Sequence, residues 1–168
     1  MSSCLPEADG SIHIKYISPL IYGYNVLTDG AFNKADSWTL SNASLSTDYL
    51  YTGSNSVKMG APTAYVVQTI SDLTAGHIYY GRFYALPTVD LTGQSGVAGM
   101  YIDDVLTSVN IQTANLGVEE WSAVSCRFTH NATSMAVKLQ STLPANILYI
   151  DGLMICDLTM IYGAGSEP

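Results

Sequence analysis

The residues able to do chemistry are few and scattered. Acyl transfer needs a nucleophile, a base and a group that orients the base. The histidines His13, His77 and His130 lie far apart and outside any partner motif, and no G-x-S-x-G sequence is present. Glycoside hydrolysis needs two carboxylates placed across the scissile bond. The pairs Asp103-Asp104 and Glu119-Glu120 are adjacent, so on a strand their side chains would leave opposite faces; they read as solvated loop residues. No phosphate-cradling or dinucleotide-binding glycine motif occurs. Cys4, Cys126 and Cys156 are an odd, widely spaced set, which is neither a disulfide framework nor a zinc site. Cys126 and Cys156 fall inside apolar strand patterns and read as small buried hydrophobes; Cys4 has no assignable role. The expectation is a protein that binds or builds rather than one that catalyses.

The elements that must position any site are short strands. Of 168 residues, 48% are hydrophobic and only 12% charged, enough apolar material for one folded core. Twelve tyrosines and fourteen glycines favour strands and turns over helices. From Asn25 onward, about ten short strands alternate with turn signals. They are read at Trp38–Leu40, Ser54–Met59, Ala64–Ile70, His77–Leu86, Val97–Ile102, Leu106–Gln112, Trp121–Thr129, Ser134–Gln140 and Ile147–Cys156. Thr113–Glu120 has room for one helical turn. This spacing, without a sustained 3.6-residue stripe, predicts an all-β sandwich of antiparallel sheets. Residues 1–23 differ: Ile12, Ile14 and Tyr16 alternate with His13 and Lys15 between prolines. They read either as an arm that packs on the domain or a neighbouring subunit, or as a plain first strand.

The formal charge of −8, with six basic residues, argues against holding a phosphate backbone, so no nucleic-acid partner is expected. Neither a signal peptide nor an apolar run long enough to span a bilayer is visible, so no membrane partner is expected either.

Six pieces stand in order: Asn25–Asn33, Trp38, Tyr51–Met59, Val67–Ile70 with Leu73–Tyr79, the strand from Trp121 to Phe128, and Tyr149–Met154. Through them residues 24–156 resemble the jelly-roll carbohydrate-binding modules of the xylan- and glucan-binding type. The resemblance implies a jelly-roll β-sandwich with a structural calcium whose ligands would come from Asn33, Ser54 and Asp151. Asn33 stands where the family carries a glutamate, which removes one charge from the site. The alternative is that Asp151 caps a turn through backbone amides. The last twelve residues, Asp157–Pro168, resemble a segment that follows such domains in tailed-bacteriophage virion proteins. That implies a virion location, attachment to other virion proteins through the terminal segments, and self-association on the particle. Adhesion to a host-surface glycan would be a further role, and a stand-alone polysaccharide-binding module is the alternative.

Sugars stack their C–H faces on aromatic rings and need polar partners for their hydroxyls. By the family pattern Tyr79, Phe83 and Ala85 point inward, which leaves Tyr80, Arg82 and Tyr84 on an outer face. The same parity turns Arg127, Lys138 and Gln140 outward from neighbouring strands, with Tyr101 as a further member. Half of the six basic residues fall in this set, which suits a glycan-binding face, an acidic glycan included, or else an ordinary polar sheet face. Trp38 and Trp121 read as core.

Overall fold

The computed structural model describes residues 25–91, 98–106, 117–143 and 148–168. The arm read over residues 1–23, Cys4, most of the strand expected at Leu106–Gln112 and half of the turn expected at Thr113–Glu120 lie outside them.

The chain is a jelly-roll β-sandwich of two antiparallel five-stranded sheets. The strands are β1 (Thr39–Ser41), β2 (Ala43–Ser46), β3 (Ser56–Met59), β4 (Tyr65–Ile70) and β5 (His77–Pro87). After them come β6 (Ala98–Ile102), β7 (Val105–Leu106), β8 (Ser122–His130), β9 (Met135–Ser141) and β10 (Leu148–Asp157). A short helix, α1 (Leu158–Tyr162), follows. The first sheet has the order β1-β4-β9-β6-β7 and the second β2-β3-β10-β5-β8. From β3 on, the longer strands alternate between the sheets, so each crossing carries the chain over the core. The strand β2 was missed in the sequence because Ala43–Ser46 carries only one large apolar residue, Leu45.

Period-2 alternation explains the packing of the first sheet. In β9, Met135, Val137 and Leu139 are fully buried, and the residues between them face out. They meet Tyr79, Phe83 and Ala85 of β5 and Leu148, Ile150 and Ile155 of β10 in one core cluster. Val124, Cys126 and Phe128, partly buried, pack against its margin. Asp103 and Asp104, both at positive φ, form the turn of the β6–β7 hairpin. Asp103 accepts from the amide of Ala136 at 2.8 Å and Asp104 from Lys138 at 2.5 Å, so this pair closes a turn.

β10 is different: nearly all of its ten residues are buried. A strand buried on both faces must be covered outside as well as inside. Two pieces do this. α1 lies on the outer face, where Tyr80, Met154, Cys156 and Leu158 form a second apolar cluster with Ile78 and Ile161 against it. The loop around Tyr49 and Tyr51 covers the other end, bringing those rings onto Tyr149 and Tyr84. The segment Asp157–Pro168 therefore begins as part of the domain. Asp157 caps α1 by accepting from the Met160 amide at 2.9 Å, and its other oxygen meets Nδ1 of His77 at 2.7 Å. Burial pushes the Cys156 thiol up to about 11, which suits the inert apolar role expected of it.

Leu139 sits at the centre of the first sheet with no exposure. Leu139→Ala should cost about 2–5 kcal/mol, read as a lower urea midpoint at unchanged slope.

Candidate functional site

The outward residues expected in the sequence face outward, but they do not form one surface. Tyr80, Arg82 and Tyr84 lie on the outer face of the second sheet; Tyr80 pairs with Arg127 across the β5–β8 ladder, so Arg127 shares that face. Lys138, Gln140 and Tyr101 belong to β9 and β6 of the first sheet, on the opposite side of the sandwich. Alternation along a strand distinguishes inward from outward, but it does not say which sheet the strand joins. Lys138 is also engaged: its Nζ lies 5.0 Å from the Tyr101 ring centroid and 5.8 Å from that of Tyr65, besides its pair with Asp104. Within the remaining set Tyr80 is only 9% exposed, because α1 covers it.

What remains open is the middle of the outer face, between the loop and α1. Tyr51 stacks on Tyr84 with ring centroids 3.6 Å apart and planes 21° apart, and Trp121 meets Tyr51 edge-on at 5.9 Å. The guanidinium of Arg82 lies over the Tyr84 ring, 5.0 Å from its centroid. Trp121 is half-buried beside this stack rather than in the core, because it precedes β8 at the sheet edge. Tyr51 is 45% exposed. Neither Tyr51 nor Trp121 was assigned to the site from the sequence. The signal available was Tyr49-Leu50-Tyr51, an aromatic pair inside a polar, glycine-bearing loop.

Local chain geometry makes the stack possible. Between Asp151, opposite Tyr84, and Met154, opposite Arg82, β10 holds one residue more than β5. The extra residue forms a β-bulge at Gly152, with φ +60°. A Cβ there would sit 3.1 Å from both the Tyr51 and Tyr84 rings, so glycine is what lets the two rings close over the bulge. Asp151 holds the loop down. One of its oxygens accepts from the amides of Tyr51 at 2.8 Å and Thr52 at 2.9 Å, the other from Gly152 at 2.6 Å. Burial pushes the Asp151 carboxyl above its usual value, and the three amides pull against that rise.

Asn33 and Ser54, the other residues implied as calcium ligands, are joined to each other. Asn33 Oδ1 accepts from both the amide and the hydroxyl of Ser54 at 2.9 Å, while its Nδ2 donates to Asp29 at 3.0 Å. Gly53, at φ +68°, makes this turn possible, since a Cβ would come within 2.6 Å of Asn33 Oδ1. The oxygens that a cation would need are thus filled by N–H and O–H donors, and no group of three or more His, Cys, Asp or Glu side chains suited to a metal occurs among the described residues. Asn33, Ser54 and Asp151 together bring a single carboxylate, where calcium favours several. The amide of Asn33 bridges where the family resemblance implied an ion, and Asp151 has the turn-capping role.

A cavity of about 280 Å³ opens between the Asp29–Asn33 turn, Tyr51 and Thr52, and the bulge; Arg82 and Tyr84 form part of its wall. A larger one of about 430 Å³ lies beside Gln68. It has no aromatic or charged side chain in its wall, and Gln68 is taken up by Thr28 and Ser37. The smaller cavity, with its rings, is the candidate binding site.

No protein-family model and no curated protein sequence matches the chain. Solved structures do match in fold. A family 35 carbohydrate-binding module from Clostridium thermocellum is 14% identical, with a TM-score of 0.57 over 72% of this chain and 92% of that one. The family 61 module TmCBM61, solved in complex with β-1,4-galactotriose, is 18% identical, with a TM-score of 0.57 over 79% of this chain and 98% of that one. The enzymatically active domain of tailspike protein 4 from bacteriophage CBA120 is 19% identical, with a TM-score of 0.57. There the match covers 84% of this chain but 22% of that one. The fold is that of a carbohydrate-binding-module-like jelly roll.

Two outcomes test this geometry. Asp151→Asn replaces an acceptor by an N–H donor beneath the loop and should cost about 1–3 kcal/mol, seen in thermal melts. Melting temperature should be the same in millimolar calcium and in EDTA, whereas a calcium-bound fold would lose stability on chelation.

Proposed function

We propose that this chain is a non-catalytic carbohydrate-recognition domain whose ligand sits on the Tyr51–Tyr84–Trp121 face. The observation that carries the reading is the stacked tyrosine pair with a tryptophan edge, half open to solvent and bordered by a cavity with polar walls. Aromatic faces supply the apolar contact that a sugar ring needs, and the hydroxyl and amide groups nearby supply its hydrogen-bonding partners. The carbohydrate-binding modules among its structural neighbours support this reading.

We further propose that the domain works in a tailed-phage virion, as an accessory protein of the tail, a fibre or the capsid surface. It would contact other virion proteins and copies of itself there, and would aid adhesion to host-surface glycans. Two observations favour this context: the fold shared with part of a phage tailspike, and the Asp157–Pro168 segment with its virion-type sequence. Because the match spans nearly a whole family 35 module, a module acting on its own is the second reading. No helix among the described residues is long and apolar enough to cross a membrane.

In affinity gels with a panel of plant and bacterial cell-surface polysaccharides, Tyr84→Ala and Trp121→Ala should each weaken retention about tenfold. Tyr101→Ala, on the other sheet, should leave it unchanged. Equal loss from Tyr101→Ala would move the site to the opposite face, and no retention of any polysaccharide by the wild type would end the glycan reading. For the virion context, particles assembled with a chain lacking residues 1–23 should lose the protein, as read by mass spectrometry of purified particles.

A further inference from the structure

Arg82 has no ion-pair partner among the described residues. Lys58 pairs with Asp48 at 3.3 Å and Lys138 with Asp104 at 2.5 Å. Arg82 is half-buried in the middle of β5, in a sequence with 14 acidic residues. Yet among the described residues no carboxylate lies within 4.0 Å of it. Its Nε is buried and has no hydrogen-bond partner. A buried donor left unpaired is costly, and more so on a charged group. Its strand neighbours across the ladders are Met154 and Ser125, neither of which carries charge.

The guanidinium's charge, rather than its buried Nε, is what a group in the adjoining cavity could meet. Tyr84 supports one side of the guanidinium, and the cavity of about 280 Å³ opens beside it. That volume is near the lower end for ligand sites, so it suits a single sugar unit or chain end. Asp29 is the one carboxylate in the cavity wall. Its oxygens are used by the amides of Asn33 at 3.0 Å and Lys34 at 2.6 Å and by the Asn33 side chain. A planar guanidinium presents a fork of N–H donors that matches a carboxylate in two parallel hydrogen bonds. We propose that the cavity takes a sugar unit carrying a carboxylate, a uronic- or sialic-acid type of residue, with Arg82 as the partner of that carboxylate and the Tyr51–Tyr84 stack beside the ring. This rests on the reading of the face as a glycan site and names the class of glycan.

The test is calorimetric titration of the full chain with three acid polysaccharides, polygalacturonate, glucuronoxylan and polysialic acid, each against its carboxyl-reduced form. Wild type should bind at least one acid form about tenfold or more tightly than its reduced partner. Arg82→Met should abolish that preference, and Arg82→Lys, which keeps the charge but not the fork, should retain only part of it. Thermal melts confirm that each variant is folded, and Arg82→Lys stands in if Arg82→Met does not fold. Equal binding of acid and reduced forms, binding of reduced or other neutral glycans alone, or a preference that survives in Arg82→Met overturns the inference while leaving the glycan reading intact. No binding of these polysaccharides or of any in the neutral panel overturns both.

Discussion

The bulge at Gly152 is the constraint on which the candidate site depends. One extra residue in β10 resets its alternation. Leu148 and Ile150 enter the core before the bulge, and Leu153 and Ile155 enter it after. Asp151 and Met154 are therefore both left on the outer face, on either side of a residue without a side chain. Two tyrosines from distant parts of the chain close over that gap, and the carboxylate next to it ties down the loop that carries one of them. Core packing, loop position and aromatic face follow from the same local irregularity.

The outer face of the second sheet is built by subtraction. α1 and the cluster under it remove Tyr80, Met154 and Cys156 from solvent. The Tyr49–Tyr149 contact, with Lys58 5.5 Å above the Tyr149 ring and Asp48 accepting from the Tyr149 hydroxyl, closes the other end. The strip between these covers is left half open, beside the exposed outer residues of the edge strand β8. The opposite sheet presents tyrosines too, but there a lysine and an aspartate already occupy the space between them. Rings and charge alone do not make a site; these groups must also be left with unused contacts.

The Asp29–Asn33–Ser54 turn shows how one substitution redirects a local structure. A glutamate at position 33, as the family resemblance has it, would bring a charged oxygen toward the turn. An asparagine brings both an acceptor and a donor, and so joins Ser54 to Asp29 directly. Asp151, the remaining carboxylate of the implied set, is left to backbone amides. The loop is thus tied by backbone and amide donors to two carboxylates, those of Asp29 and Asp151.

Legible in the sequence were the sandwich, most strand positions, and the inward or outward sense of β5, β8 and β9. These depend on period-2 alternation and turn residues, which are local. The sequence also placed Tyr80, Arg82 and Tyr84 together, because they share one strand. Long-range packing set which sheet each strand joins, and hence that Lys138, Gln140 and Tyr101 turn away from Arg82. It alone brought Tyr51 and Trp121 to Tyr84, and covered Tyr80 with a helix 78 residues later in the chain, counting from Tyr80 to Leu158. The physical reason is that alternation fixes a direction relative to one strand's own backbone. Neighbours across a sheet, and the loops that cover it, are set by the packing of the whole core.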